Sequence, residues 1–213
     1  MERLLDSTKM QKIFIVVTGL FQIRPEPEAQ GMNRREMLIK IKDALLIYVL
    51  SKSQMSPLHE FVILTDESPQ KLTSDVDEIR KQINLIDKLP EQANIQNIFQ
   101  YIETLIPAPA NGVYPSTIQI IYITSHGPLN LFLGESLLKH PDIYTDFIYF
   151  NDTGLNESLI KQILNELNQN IPNKSFGFII KSNLNLYRAI SLLTAHPQQR
   201  QPQRNIELIL SLT

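Results

Sequence analysis

Hydrophobic positions along this chain fall into blocks of two kinds. One is a short continuous run, first met as Ile13-Phe14-Ile15-Val16-Val17 and again within 60–65, 118–124, 145–150 and 176–180. Runs of that length without alternation predict strands buried on both faces. The other kind repeats at three- and four-residue spacing, which predicts helices with one apolar side. The first such helix covers 33–51, with Asn33 as cap and Glu36 as its capping-box partner. Met37, Ile41, Ala44, Leu45 and Tyr48 share a face, and Leu46, Ile47, Val49 and Leu50 make its second half apolar nearly all round. That half is therefore expected to be deeply buried.

Further helices carry Val76, Ile79, Ile83 and Ile86 behind a cap at Ser74 or Asp75, then Ile95, Ile98, Phe99, Ile102 and Ile106. Two more cover 156–167 and 184–193. Residues 70–73 read as a weaker edge strand compatible with antiparallel pairing. The stretch 107–116 holds three prolines and Asn111-Gly112, and reads as a loop. Strands and helices alternate throughout, so the expected fold is α/β, a mostly parallel sheet with helices on both faces. One domain over 1–194 accounts for the pattern, without internal repeats. The segment 195–213 differs. It begins polar and basic with two prolines, and then becomes apolar at Ile206, Leu208, Ile209, Leu210 and Leu212.

Composition narrows the chemistry. Formal net charge is −2 over 213 residues, which argues against a global field for nucleic acid or acidic membranes. There is no cysteine, so disulfides, thiol nucleophiles and thiolate zinc sites are excluded. The first residues lack the apolar stretch of a signal peptide, and the densest apolar run, 44–50, is far shorter than a bilayer span. The chain reads as soluble and intracellular. No Gly-x-Ser-x-Gly elbow accompanies Ser125-His126, and the glycines form no nucleotide-cradling pattern. An ordinary loop histidine explains His126 better than a catalytic one. Asp66-Glu67 before Pro69 reads as a solvated turn rather than a metal pair, and Arg34-Arg35 as a solvated helix start.

Three segments resemble the strand-end loops of a von Willebrand factor A domain: Thr18-Gly19-Leu20-Phe21-Gln22, Ala93-Asn94-Ile95 and Ile123-Thr124-Ser125-His126-Gly127. That family holds a divalent cation there with an Asp-x-Ser-x-Ser loop, a threonine and an aspartate. Here Thr18, Leu20 and Gln22 stand in the first motif, Ala93 in the second, and Ser125 where the last aspartate belongs. A hard cation needs carboxylate oxygens, so no metal and no cofactor is expected.

Within that class the chain resembles the MERIT-forty family, the adaptor subunits of the BRISC and BRCA-A deubiquitinase complexes. The resemblance rests on His59-Glu60-Phe61, Leu72-Thr73-Ser74-Asp75 and Leu192-Leu193-Thr194-Ala195-His196-Pro197-Gln198-Gln199-Arg200. Asn94 with Phe99, and Asp146-Phe147-Ile148-Tyr149-Phe150-Asn151, add to it. It implies a non-enzymatic scaffold in cytoplasm and nucleus. Such a subunit binds the ubiquitin-conjugating-enzyme-variant-rich subunit of its complex, alongside metalloprotease and pseudo-protease subunits, in DNA-damage and cytoplasmic ubiquitin signalling. The alternative is an A-like ligand-binding, adhesion or sensor domain with non-standard metal ligands.

A histidine and proline at a helix end have a plain explanation as a dipole-complementing stop. An exposed basic hinge leading to apolar residues points further, since such residues need cover. The candidate partner-binding residues are therefore His196, Pro197, Arg200 and Arg204, with Ile206, Leu208, Leu210 and Leu212 as anchors. The apolar part could equally dock on its own domain.

Overall fold

The computed structural model describes residues 10–18, 34–65, 70–88, 95–108, 114–125, 143–150, 176–180 and 183–195. Five strands form one sheet: β1 (Gln11–Thr18), β2 (Glu60–Leu64), β3 (Thr117–Thr124), β4 (Ile143–Phe150) and β5 (Gly177–Ile180). Their spatial order is β2-β1-β3-β4-β5, and every named pair is parallel. Among the described residues four helices accompany them: α1 (Arg34–Met55), α2 (Val76–Asn84), α3 (Ile95–Leu105) and α4 (Asn183–Thr194). A 3-10 turn, Leu85–Lys88, prolongs α2. The helix expected over 156–167 lies outside the described residues.

The two-sided burial expected of the strands follows from this arrangement. Ile13, Ile15 and Val17 point into one core with Phe61, Ile63, Ile121, Ile123 and Ile148, beneath α1, α2 and α4. Phe14 and Val16 point into the other, with Val62, Ile120, Tyr122 and Phe147, beneath α3. The pleat sends alternate residues to opposite faces, and the register Ile15↔Ile63 and Ile15↔Ile121 keeps like-facing side chains together across the sheet. Helices therefore cover both faces of a parallel sheet, as the sequence pattern implies.

The free side of β2 is closed differently from a regular ladder. Residues 70–73 do not form a strand. They make a single antiparallel bridge, Phe61↔Thr73, with backbone bonds of 2.8 and 3.0 Å. Beyond it the side chain of Gln82 on α2 acts as a substitute peptide. Its Oε1 accepts from the Ile63 N–H at 2.9 Å, and its Nε2 donates to the Lys71 carbonyl at 3.2 Å. From the other layer, the Tyr101 hydroxyl donates to the Gln70 carbonyl at 3.1 Å. An exposed edge would invite pairing with other chains, and here both helical layers hold a cover over it. The choice between Ser74 and Asp75 as the α2 cap falls to Asp75, whose carboxylate accepts from the N–H groups of Asp77 and Glu78.

One expectation about α1 is overturned. Val49 is buried and Leu46 half-buried, but Ile47 is 50% and Leu50 38% exposed. The helix also runs past the expected end at 51, to Met55. Met37, Ile41, Ala44, Leu45 and Tyr48 do face the sheet. With α2 and α4 packed beside it, α1 still turns an outer face to solvent, where Ile39, Ile47, Leu50 and Met55 stand among the exposed Arg35, Glu36, Asp43 and Gln54.

Replacing Gln82 with Leu strands a backbone donor and an acceptor at the β2 edge. The expected loss in urea denaturation is about 1–3 kcal/mol. Asp77→Ala, which breaks only the exposed Arg80–Asp77 pair, should cost less than about 0.5 kcal/mol. Equal effects would show that Gln82 does not seal the edge.

Candidate functional site

β1 and β3 lie side by side at the centre of the sheet, but the chain leaves β1 toward β2 and β3 toward β4. That reversal opens a crevice at the carboxyl ends of the two strands, where sheets of this class bind ligands. Thr18 and Thr124 are register partners there, and both are buried. The Thr18 hydroxyl is bonded to the Tyr122 hydroxyl at 2.7 Å. Ser125 follows at the end of β3, half-buried. Thus two of the three positions read from sequence as altered metal ligands, Thr18 and Ser125, meet at the switch point, while Ala93 lies outside the described residues. So do Leu20, Gln22, Asp66, Glu67 and His126.

The described part of this donor set does not fit a hard divalent cation. It supplies neutral hydroxyls, and the one at Thr18 is committed to a tyrosine. No carboxylate among them offsets the cost of stripping water from the ion. Among the described residues no three His, Cys, Asp or Glu side chains cluster in a way that could hold a metal.

Polar chemistry concentrates instead under α1, away from the crevice. Tyr48 and Lys52, one turn apart on the buried side of α1, both find partners on the sheet. The Tyr48 hydroxyl donates to Gln119 Oε1 at 3.0 Å, and Gln119 Nε2 donates to Asp146 Oδ2 at 2.8 Å. Asp146 Oδ1 accepts from the Phe176 N–H at 3.0 Å. Lys52 Nζ donates to Gln11 Oε1 at 2.9 Å, and the Gln11 N–H donates to His59 Nδ1 at 3.3 Å. Gln11 Nε2 is buried and has no partner among the described residues. The seam thus runs from the entrance of β2, through β1, β3 and β4, to the entrance of β5.

Each of these six side chains is buried. Sequence reasoning missed their role. Tyr48 was counted as an apolar face residue, and His59 and Asp146 entered only through the family resemblance. The available signals were a lysine in phase with the apolar face of α1, a glutamine inside an isoleucine run, and an aspartate inside an aromatic strand.

Because His59 Nδ1 accepts a hydrogen bond from the Gln11 backbone N–H, the ring is neutral with its proton on Nε2. Burial, and then the nearby Lys52 cation, lower its pKa from 6.5 to about 4. A second cation here would cost desolvation and remove the acceptor for the Gln11 N–H. The seam reads as a structural device, with donors and acceptors spent on joining elements.

In the unfolded chain His59 takes up its proton as pH falls through 6.5, whereas the folded form resists until about 4. Its contribution is complete above pH 6.5 and is lost between there and about 4, by up to about 3 kcal/mol. His59→Asn keeps an acceptor for the Gln11 amide but cannot titrate. Chemical denaturation across that range should therefore show a shallower pH dependence for the variant, and an unchanged slope would contradict the assignment. Asp146→Ala, which strands the Phe176 N–H and the Gln119 amide, should lose about 3 kcal/mol or more in the same assay.

No protein-family model matches the sequence, and no curated protein matches it. Among solved structures the chain is similar to a point variant of the PilB minor pilin from Streptococcus sanguinis, with a TM-score of 0.63 and 9% identity. The alignment covers 91% of this chain and 62% of that one. The unsubstituted PilB minor pilin gives a TM-score of 0.54 at 8% identity over the same shares. The chain thus spans 62% of the length of these structures, and at this identity the likeness is one of α/β fold alone.

Proposed function

We propose that this chain is a von Willebrand factor A-like scaffold subunit without catalytic activity, belonging to a deubiquitinase complex of the BRISC and BRCA-A type. In that role it binds the ubiquitin-conjugating-enzyme-variant-rich subunit and so stabilises an assembly whose separate metalloprotease subunit cleaves polyubiquitin. Its place of action is cytoplasm and nucleus. The observation that carries the reading is the ordered set of sequence matches running from His59-Glu60-Phe61 to Ala195-His196-Pro197-Gln198-Gln199-Arg200. Two described strand-end positions support it: the Thr18 hydroxyl is bonded to Tyr122, and Ser125 stands in the aspartate position.

Of the candidate contacts, α4 ends at Thr194 and Ala195 is exposed. His196, Pro197, Arg200, Arg204, Ile206, Leu208, Leu210 and Leu212 follow, outside the described residues. His196, Pro197, Arg200 and Arg204 are the polar residues assigned to partner contact in this reading. The adhesion alternative has only the minor-pilin likeness behind it, which at 9% identity carries fold and no more.

Affinity purification of the intact chain, with identification of stoichiometric partners, tests this directly. Deubiquitinase-complex subunits are expected, and their absence would overturn the assignment. Truncation after Arg204 should reduce their recovery at least about tenfold, a loss of about 1.4 kcal/mol or more, while the domain keeps its folded circular-dichroism signal. Unchanged recovery would remove the tail from the interface.

A further inference from the structure

The polar seam under α1 has two halves. Lys52, Gln11 and His59 form one, and Tyr48, Gln119 and Asp146 form the other. Between them stands Thr117, the first residue of β3 and the register partner of Gln11. The pleat puts Thr117 on the same face as Gln119, two residues further on, so Gln11 and Thr117 are neighbours beneath α1. Both are enclosed, Gln11 at 0% and Thr117 at 3% exposure. Gln11 Nε2 and Thr117 Oγ1 are also both without a hydrogen-bond partner among the described residues.

The chemistry of Lys52 decides which atom of Gln11 is left over. An ammonium group only donates, so Lys52 Nζ takes Gln11 Oε1 and leaves the two protons of Nε2 to be met elsewhere. A threonine hydroxyl both donates and accepts. The amide and the hydroxyl stand side by side on adjacent strands, each in need of a partner, yet they do not bond each other. Their backbones are about 4.8 Å apart at the usual strand spacing. Two hydrogen bonds of about 2.9 Å that share one oxygen reach across up to about 5.8 Å.

We propose that a buried water molecule binds between Gln11 Nε2 and Thr117 Oγ1 and links the two halves of the seam. Its oxygen accepts from the amide, and it exchanges a second hydrogen bond with the hydroxyl, which gives it the two polar partners a buried water requires. One neutral molecule thereby satisfies both atoms without bringing a further charge into the interior. The chain of bonds then runs from His59 through Gln11 and the water to the start of β3, two residues from Gln119. The inference rests on described side chains and stands apart from the scaffold reading.

Thr145 provides the contrast. It is buried, and its hydroxyl too has no partner among the described residues. It is the register partner of Ile120, however, and lies on the opposite face of the sheet between Ile143 and Phe147. These neighbours are apolar and give a water nothing to bond.

Two substitutions of matched shape in the full-length protein test the site. Thr117→Val removes one of the water's partners, and Thr145→Val removes a hydroxyl that no water serves. Oxygen-17 magnetic relaxation dispersion counts waters held for longer than the tumbling time of the protein. It should find one fewer in Thr117→Val than in the unsubstituted chain, and the same number in Thr145→Val. In urea denaturation Thr117→Val should raise the unfolding equilibrium constant about fivefold or more, because the Gln11 amide loses its partner. Thr145→Val should leave that constant unchanged or lower it, since an unpaired buried hydroxyl is replaced by an apolar group of the same shape. An unchanged water count in Thr117→Val would overturn the proposal, whatever the change in stability. So would equal changes in stability for the two variants.

Discussion

Tyr48 and Lys52 place polar atoms on the side of α1 that must be buried, and the rest of the architecture conforms to that constraint. A buried donor without a partner costs about 1–3 kcal/mol, so the helix can settle only where the sheet supplies acceptors. Gln119 meets the tyrosine and Gln11 meets the lysine. Hydrophobic contact alone would tolerate α1 sliding or rotating over a surface of isoleucines. Two directional bonds from adjacent turns fix its height and its rotation together. The bonds then continue sideways, through Asp146 to the backbone entering β5 and through the Gln11 amide to His59 entering β2.

Once α1 is set, its outward face is set as well. The same rotation that buries Ile41, Leu45 and Tyr48 leaves Ile39, Ile47 and Leu50 in solvent. This reconciles two facts that the sequence pattern leaves in conflict: a helix apolar nearly all round, and a place for it on the outside of a single sheet. The sheet, α2 and α4 cover one side of the helix and leave the other in solvent. The described side chains at the carboxyl ends of β1 and β3 offer hydroxyls, and the one at Thr18 is bonded to Tyr122.

Much of the fold was legible because its signals are local. Uninterrupted runs such as Ile13 to Val17 mark strands covered on both sides, and the spacing of Ile98, Phe99 and Ile102 marks one face of α3. The crevice was legible too, since Thr18 and Ser125 sit at strand ends that any sheet of this class brings together. What escaped was non-local pairing. Nothing near Gln82 announces that its amide will replace a peptide beside β2, and Tyr48 meets Gln119 across a separation of 71 positions. The exposure of Ile47 and Leu50 escaped for a related reason. Periodicity shows how wide an apolar face is, but neighbours on the sheet decide how much of it is covered.

We propose that this domain acts through contacts on its surface rather than through an ion at the strand ends. Thermal denaturation with magnesium, manganese or calcium, each followed by a chelator, tests it most directly. A ligand that binds only the native state must raise its stability, by about 2.7 kcal/mol at one hundred times its Kd. The melting temperature is expected not to move with any of the three ions. A saturable rise that the chelator reverses, and that is lost in Thr18→Val, would contradict it.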